Sequence, residues 1–301
     1  MKTKWQSVPE RGSAPLIRFV VWLSLRVGRP VVRLLLYPIM GYFFLSSKVG
    51  RPASRKYLSA VFGRPASLGQ CFRHHMTFAR VTHDRIHLLA GRLAEFDVSI
   101  KGLEVVEAQL KKHRGCLFLG AHLGSFEVLR AFGMLQENMP IKILLYPENA
   151  RRTIAIMEAL NPDLAQEIIP LGRANSMILA KRHVDQGGII GVLGDRVTRG
   201  DKVVRSNFLG RPADFPVGPM LLASLLKVPV VLFCGLYLGG TRYEINFELF
   251  ADDIVLNPET RQQDLQGWID RYAARLDHFC RQSPYNWFNF YDFWEPSDEA
   301  E

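Results

Sequence analysis

Residues 97–147 read DVSIKGLEVVEAQLKKHRGCLFLGAHLGSFEVLRAFGMLQENMPIKILLYP, and the fold class follows from this stretch. Short apolar runs (DVSI, CLFLG, IKILL) alternate with longer segments, GLEVVEAQLKKHR and SFEVLRAFGML, whose apolar residues recur at helical spacing, which reads as β-α-β-α-β. The alternation continues downstream. ARRTIAIMEALN predicts a helix, EIIPLG a strand, ANSMILAKRHVDQ a helix and GIIGVLGD a strand, followed by the helix VGPMLLASLLK, the strand VPVVLFCGLYLGG and a last strand, RYEINFELF. The expected fold is α/β, a mixed, mostly parallel sheet flanked by helices. In such sheets ligands bind beyond the carboxyl ends of the strands.

The strand CLFLG runs into Ala121-His122, and a helix is expected to open at Gly124 or Ser125 with Ser125 as its cap. His122 therefore stands at a strand's carboxyl end. Glu127 falls in the first helical turn, where it is expected to accept a hydrogen bond from His122 and fix its tautomer. This is the base-and-orienter half of a triad without a protein nucleophile. An enzyme built this way needs its substrate to supply the nucleophile, so the natural chemistry is attack by a substrate hydroxyl or amine on an activated acyl group. No metal or organic cofactor is expected. The chain has no Gly-x-Ser-x-Gly, no Walker loop, no Gly-x-Gly-x-x-Gly after a strand and no His-Glu-x-x-His, which removes the hydrolase, nucleotide-triphosphatase, dinucleotide and zincin classes.

Upstream, residues 52–98 are basic and helical in character, and His74, His75 and His83 read as surface or packing residues, since their spacing does not suit a metal. Residues 15–47 are strongly apolar but interrupted by Arg18, Arg26, Arg29 and Arg33, and the longest uncharged stretch, Leu34 to Ser47, is shorter than the roughly 20 residues a span requires. Amphipathic helices lying in the membrane interface fit this pattern, with Trp5, Trp22 and Tyr37 as belt residues; a core helical hairpin of a soluble protein is the alternative. The expected division is residues 1–95, helical and membrane-associating, and residues 96–301, the catalytic domain.

With 38 Lys and Arg against 29 Asp and Glu, the net charge of +9 favours an acidic partner or surface. No nucleic-acid module accompanies the charge, so nucleic acid is not an expected partner. The cysteines at 71, 116, 234 and 280 form no close pair and read as reduced, buried thiols.

GAHLGSFEVLR carries a His-x-x-x-x-Glu motif that resembles the lysophospholipid acyltransferase superfamily, in the form seen in the lipid A lauroyl and myristoyl acyltransferases. The likeness runs from about residue 100 to 295, with a weaker echo in the N-terminal helices. Three further segments resemble the family in order. PLGRANSMILAKRHVDQGGIIGVLGDR supplies Arg173, Asp195 and Arg196; NFLGRPADFPVGPMLLASLLKVPVVLF supplies Phe208, Gly210 and Pro216; SPYNWFNFYDFW is an aromatic C-terminal signature.

The resemblance implies a protein on the cytoplasmic face of the inner membrane, an acyl carrier protein thioester as donor, and a lipid or glycolipid acceptor. It also implies substrate-binding roles for Arg173, Asp195, Arg196 and Phe208; for the acyl chain, an apolar groove lined partly by Phe208, Phe215 and Leu221 is expected. Asp195 reads equally as a structural cap, and the residues Trp287 to Trp294 read chiefly as packing. Asn289 and Asp292 replace the more basic pattern of lipid A enzymes, which leaves room for another acceptor such as an aminolipid or a polyene pigment precursor. The rival from another class is a non-catalytic membrane protein that binds an acyl carrier or anionic lipid.

Overall fold

A computed structural model describes residues 14–112, 114–134, 139–147, 154, 157, 160, 167–173, 175–198 and 200–295. Most of the expected helix over ARRTIAIMEALN, and Trp5, lie outside these residues.

Four helices come first: α1 (Ala14–Val27), α2 (Arg29–Ser46), α3 (Gly50–Phe62) and α4 (Leu68–Leu89). Gly28 separates α1 from α2 at φ 86°. α4 begins with a capping box, in which the Ser67 hydroxyl accepts from the Gln70 N–H while the Gln70 side chain accepts from the Ser67 N–H. The α/β part follows with β1 (Asp97–Lys101), α5 (Leu103–Lys111), β2 (Cys116–Gly120), α6 (Phe126–Met134), β3 (Ile141–Leu145), β4 (Ile168–Pro170), α7 (Ser176–Asp185) and β5 (Ile189–Leu193). It ends with β6 (Val203–Phe208), β7 (Arg211–Pro216), α8 (Gly218–Leu226), β8 (Val230–Gly239), β9 (Arg242–Ala251) and α9 (Arg261–Gln282).

Seven strands form one sheet in the order β1-β9-β8-β2-β5-β3-β4. Every neighbouring pair is parallel except β8 with β9, so the expected mixed, mostly parallel sheet is the one found. The central strands are buried on both faces: all five residues of β2 are inaccessible, as are the first four of β5. That is why CLFLG and IIGVL read as unbroken apolar runs rather than alternating ones. One element differs from expectation. Residues 203–216, to which the alternation assigns no element, form the separate antiparallel ribbon β6–β7, which packs on α9. Two prolines and the charged residues in RPADFP hide this strand, since proline is excluded from central strands but tolerated in a two-stranded ribbon.

All four cysteines are free and buried. Burial pushes the Cys116 thiol up to about 12, so it stays protonated. His74, His75 and His83 are buried rather than on the surface, and no group of metal-binding side chains occurs among the described residues. Among these residues no single helix is long and apolar enough to cross a membrane, although α2 and α3 together meet the requirement across a 94° bend.

Candidate functional site

β2 is the central, fourth strand of the seven, with β8 and β5 on its flanks, and its carboxyl end delivers His122 against the C-terminal loop. The backbone there is fixed from three sides. The Gly124 N–H donates to the Asn286 carbonyl at 2.8 Å, the Ser125 N–H to the Gly235 carbonyl at 2.8 Å, and the Phe288 N–H to the His122 carbonyl at 2.7 Å. Gly124 has φ 72°, and a Cβ there would stand 1.9 Å from the Gly235 carbonyl oxygen. Only glycine lets the chain turn from His122 into α6 so close to β8.

Asp195, at the end of β5, is the partner of His122. Its carboxylate accepts from the His122 backbone N–H (3.1 and 3.0 Å to its two oxygens) and from Nδ1 of the ring (2.8 Å). It also accepts from Trp287 Nε1 (3.0 Å) and Asn289 Nδ2 (2.8 Å). Burial opposes ionisation of Asp195, but the charge and hydrogen bonds of His122, with Arg196 nearby, outweigh it and hold the carboxyl at about 2. An ionised carboxylate can only accept, so Nδ1 carries the proton and the lone pair of His122 lies on Nε2. Burial lowers the His122 pKa, and Arg196 lowers it further, against the opposite pull of Asp195. The ring is therefore neutral at neutral pH, and with 28% of the side chain exposed a substrate can reach it. Among the described residues Nε2 has no hydrogen-bond partner.

The expectation that Glu127 receives the hydrogen bond from His122 is corrected. Glu127 opens α6 but turns away to Arg85 of α4, with Nε to Oε1 at 2.7 Å, and accepts from the Ser125 hydroxyl at 3.3 Å. The first helical turn points its side chain back along the helix toward α4, not toward the strand end. Glu127 thereby seats Arg85, whose charge reaches His122 and lowers its pKa further. Arg85 lies in the run read only as basic helix, and nothing in its spacing marks it.

The other candidates divide. Arg196 follows Asp195 and donates through Nε to Asn289 Oδ1 (2.7 Å) and through Nη2 to the Phe288 carbonyl (3.0 Å), so it fastens the loop that holds Asp195. Arg173 lies past the end of β4, three strands from β2, with its side chain exposed; it shares the carboxyl edge of the sheet but is not brought to His122. Phe208 is corrected as a substrate contact. It is fully buried, with its ring edge-on to Trp287 at 5.1 Å and stacked with Trp294 at 6.0 Å. Phe215 is equally buried, so neither lines a groove, whereas Leu221 does. It borders an apolar cavity of about 280 Å³ at the carboxyl edge, together with Leu144, Leu171, Met177 and Leu225, and Arg196 lies on its wall.

The aromatic signature at the end of the chain does more than pack. Asn286 clamps Tyr237 of β8 by its N–H (2.8 Å) and its carbonyl (3.1 Å), while Trp287 and Asn289 complete the shell of Asp195. Behind them His74 bridges the Ser54 hydroxyl (2.9 Å) and the Trp287 carbonyl (2.8 Å), and burial lowers its pKa to about 3. Asp292 pairs with Lys56 of α3 at 2.7 Å. A general base with a fixed tautomer, an open Nε2 and a neighbouring apolar cavity can take a proton from a hydroxyl or amine held against an acyl carbon.

Known proteins bear on this site in one way. The sequence model of a family described as bacterial lipid A biosynthesis acyltransferase matches residues 4–295. A search of curated proteins finds no match.

Proposed function

This chain belongs to the bacterial lipid A biosynthesis acyltransferase family and is an acyltransferase, and from that premise we propose a reaction and a place for it. An acyl carrier protein thioester is the donor, a hydroxyl or amine of a membrane lipid or glycolipid is the acceptor, and His122 is the general base. The acceptor proton passes to His122 Nε2 as its oxygen or nitrogen attacks the thioester carbonyl. As the tetrahedral intermediate collapses, the C–S bond breaks and the carrier's thiolate leaves with the proton from the imidazolium. Asp195 is a positioning residue that holds the tautomer and stabilises the imidazolium. Glu127 acts at one remove, by keeping Arg85 beside the site for an anionic group of the substrate. The apolar cavity beside Arg196 suits the acyl chain.

The observation that carries this reading is the His122 ring, bonded at Nδ1 to a fully buried carboxylate and open at Nε2, at the carboxyl end of a central parallel strand.

Membrane association rests on charge and exposure. Residues 11–83 contain twelve Lys and Arg and no Asp or Glu, in a chain of net charge +9, so the remainder of the protein is net negative. On the same segment Trp22, Leu34, Tyr37, Tyr42 and Leu45 are each about half to three-quarters exposed (48–73%). Basic residues beside an exposed apolar helical face suit an anionic lipid surface, and the cytoplasmic face of the inner membrane is the location in keeping with the resemblance.

The test is mass spectrometry of products formed when the purified protein is incubated with acyl carrier thioesters and a membrane lipid extract, alongside His122→Ala. A new acylated lipid made only by the wild type is the expected result and names the acceptor. Equal product from both proteins removes the general base.

A further inference from the structure

A second cavity lies away from His122, between α2 and α4, and at about 810 Å³ it is within the size range of ligand pockets, roughly 300–1,000 Å³. One wall is the stripe Leu36, Met40 and Phe43, at the spacing of one helical face; the other is built on α4 around Ala79, Thr82 and Ile86. Ala79 and Thr82 are small where the facing residues are large, and this leaves the space open. Along α4 the cavity extends from His75 to Ile86, roughly 16 Å at helical rise, which suits an extended fatty-acyl chain.

The surroundings identify the occupant. The same helix α2 that walls the cavity with Leu36 and Met40 presents Leu34, Tyr42 and Leu45 outward, exposed at 70, 64 and 73%, and the cavity-lining residues Val49 and Phe78 are themselves exposed at 51 and 38%, so the cavity opens beside the apolar face assigned above to the membrane. At its α2–α3 end stands Lys48, exposed and with no ion pair among the described residues, in a segment without a single acidic residue. Deeper along α4, His83 lines the cavity with its Nδ1 buried and without a hydrogen-bond partner. The cavity also touches Phe290, next to Asn289 and two residues from Phe288, which hold Asp195 and the His122 carbonyl.

We propose that the groove between α2 and α4 is a lipid-binding site that takes one hydrocarbon chain of an anionic membrane lipid, with the headgroup at Lys48. The proposal rests on the membrane reading of the N-terminal face. The bound lipid stands against the loop that carries Asn289, which it meets at Phe290.

The test uses the full chain in detergent and native mass spectrometry with palmitoyl lysophosphatidylglycerol or palmitoyl lysophosphatidylcholine as probe. Wild type is expected to retain one lysophosphatidylglycerol and to prefer it to the choline lipid by about fivefold or less, the worth of an exposed ion pair. The filled variant Ala79→Leu/Thr82→Leu is expected to lose at least tenfold of that binding. Lys48→Glu, on the exposed rim where it cannot threaten folding, should abolish the preference while leaving choline-lipid binding intact. Leu34→Ser/Leu45→Ser, on the outer face, should reduce flotation with phosphatidylglycerol vesicles yet retain the bound lysolipid. Binding by a folded filled variant within twofold of wild type overturns the groove, as does an unchanged preference in Lys48→Glu. Flotation of Leu34→Ser/Leu45→Ser equal to wild type, with the lysolipid retained, counts against the membrane face rather than the groove.

Discussion

Two histidine sites in this molecule share a hydrogen-bond pattern and differ in almost everything else. At the end of β2, His122 gives Nδ1 to Asp195 at 2.8 Å and leaves Nε2 open. Between α1 and α4, His87 contacts Glu95 through Nδ1 at 2.8 Å and the Ser24 hydroxyl through Nε2 at 2.9 Å, and His83 reaches the same hydroxyl at 2.7 Å. On paper the second is the more complete arrangement, since it has a serine where a nucleophile would stand. Yet Ser24 is fully buried and the His87 side chain is 1% exposed, so no substrate reaches them. Beside them Arg29 and Arg33 converge on the buried Asp84 carboxylate, which also accepts from the Tyr243 hydroxyl. This network clasps the α1–α2 hairpin to α4 and to the sheet. A carboxylate–imidazole pair becomes catalytic only where a strand end opens it to a cavity.

The sharpest way to break that contrast is to exchange the roles by mutation. His122→Ala should lower turnover by about 10²–10⁴-fold, the usual worth of a general base, with little change in melting temperature. His87→Ala should do the reverse. It lies outside the reacting site and should leave turnover within about twofold, while the loss of its buried hydrogen bonds to Ser24 and Glu95 costs about 1–3 kcal/mol of stability. Similar kinetic losses in both variants would mean that the N-terminal network reaches the chemistry.

Asp195→Asn comes next, with a loss of about 10²-fold or more, because a neutral amide no longer holds the His122 tautomer or stabilises the imidazolium. Single-turnover rates should fall with donor binding unchanged. Glu127 offers the finer test of which acid serves the base. Glu127→Gln should cost about tenfold, the scale of a modest misplacement of one site group, and chiefly in KM, since it releases Arg85 rather than His122. A kcat loss as large as that of Asp195→Asn would restore Glu127 as the base's own partner.

The sequence allowed one half of this site to be read and hid the other. His122 was legible because a buried parallel strand is a continuous apolar run, and CLFLG-AH ends one. Asp195 ended another, IIGVLGD, but only folding sets β5 beside β2, 73 residues away; until then a capping aspartate and an orienting one look alike. Proximity along the chain favoured Glu127, and helix geometry then pointed it elsewhere. Asn286 and Asn289 lay in a signature dominated by aromatic residues, and their work is done by single hydrogen bonds that no periodicity reports. The ribbon β6–β7 was hidden by its prolines and Arg85 by an ordinary basic helix.

Acid separates the two histidine sites in another way. Burial holds His83 at about 3 and lowers His87, both further depressed by neighbouring positive charge in Arg29. Their unfolded forms take up protons near 6.5, so below that pH the unfolded state binds more protons than the folded one, and stability falls as pH drops from about 6.5 toward 3. The slope approaches about 1.4 kcal/mol per pH unit for each such group. His83→Asn should flatten the dependence of melting temperature on pH in this window by one proton's worth. Asp195 acts in a separate range: its depressed pKa contributes stability that is present above about 3.8 and is lost as pH falls through about 2. A His83→Asn slope identical to wild type would mean that His83 is already charged in the folded protein, and the neutral clasp would be wrong.

The smallest effect is assigned to Arg173, and it tests how far the site extends along the sheet edge. Arg173 shares the carboxyl edge with His122 but stands three strands away, exposed, and its backbone is held to Ser176 by its N–H, which donates to the hydroxyl at 3.2 Å, and by its carbonyl, which accepts from the Ser176 hydroxyl at 2.8 Å and N–H at 3.1 Å. An exposed charge contributes about 0.2–1 kcal/mol, so Arg173→Ala should raise KM by about fivefold or less and leave kcat unchanged. The effect should shrink in high salt, because charges on the surface are screened over about a Debye length. A salt-independent loss in kcat would require Arg173 to reach the reacting groups in a closed state, extending the catalytic region across β5 and β3 and narrowing the distinction between the open histidine and the sealed one to a matter of motion.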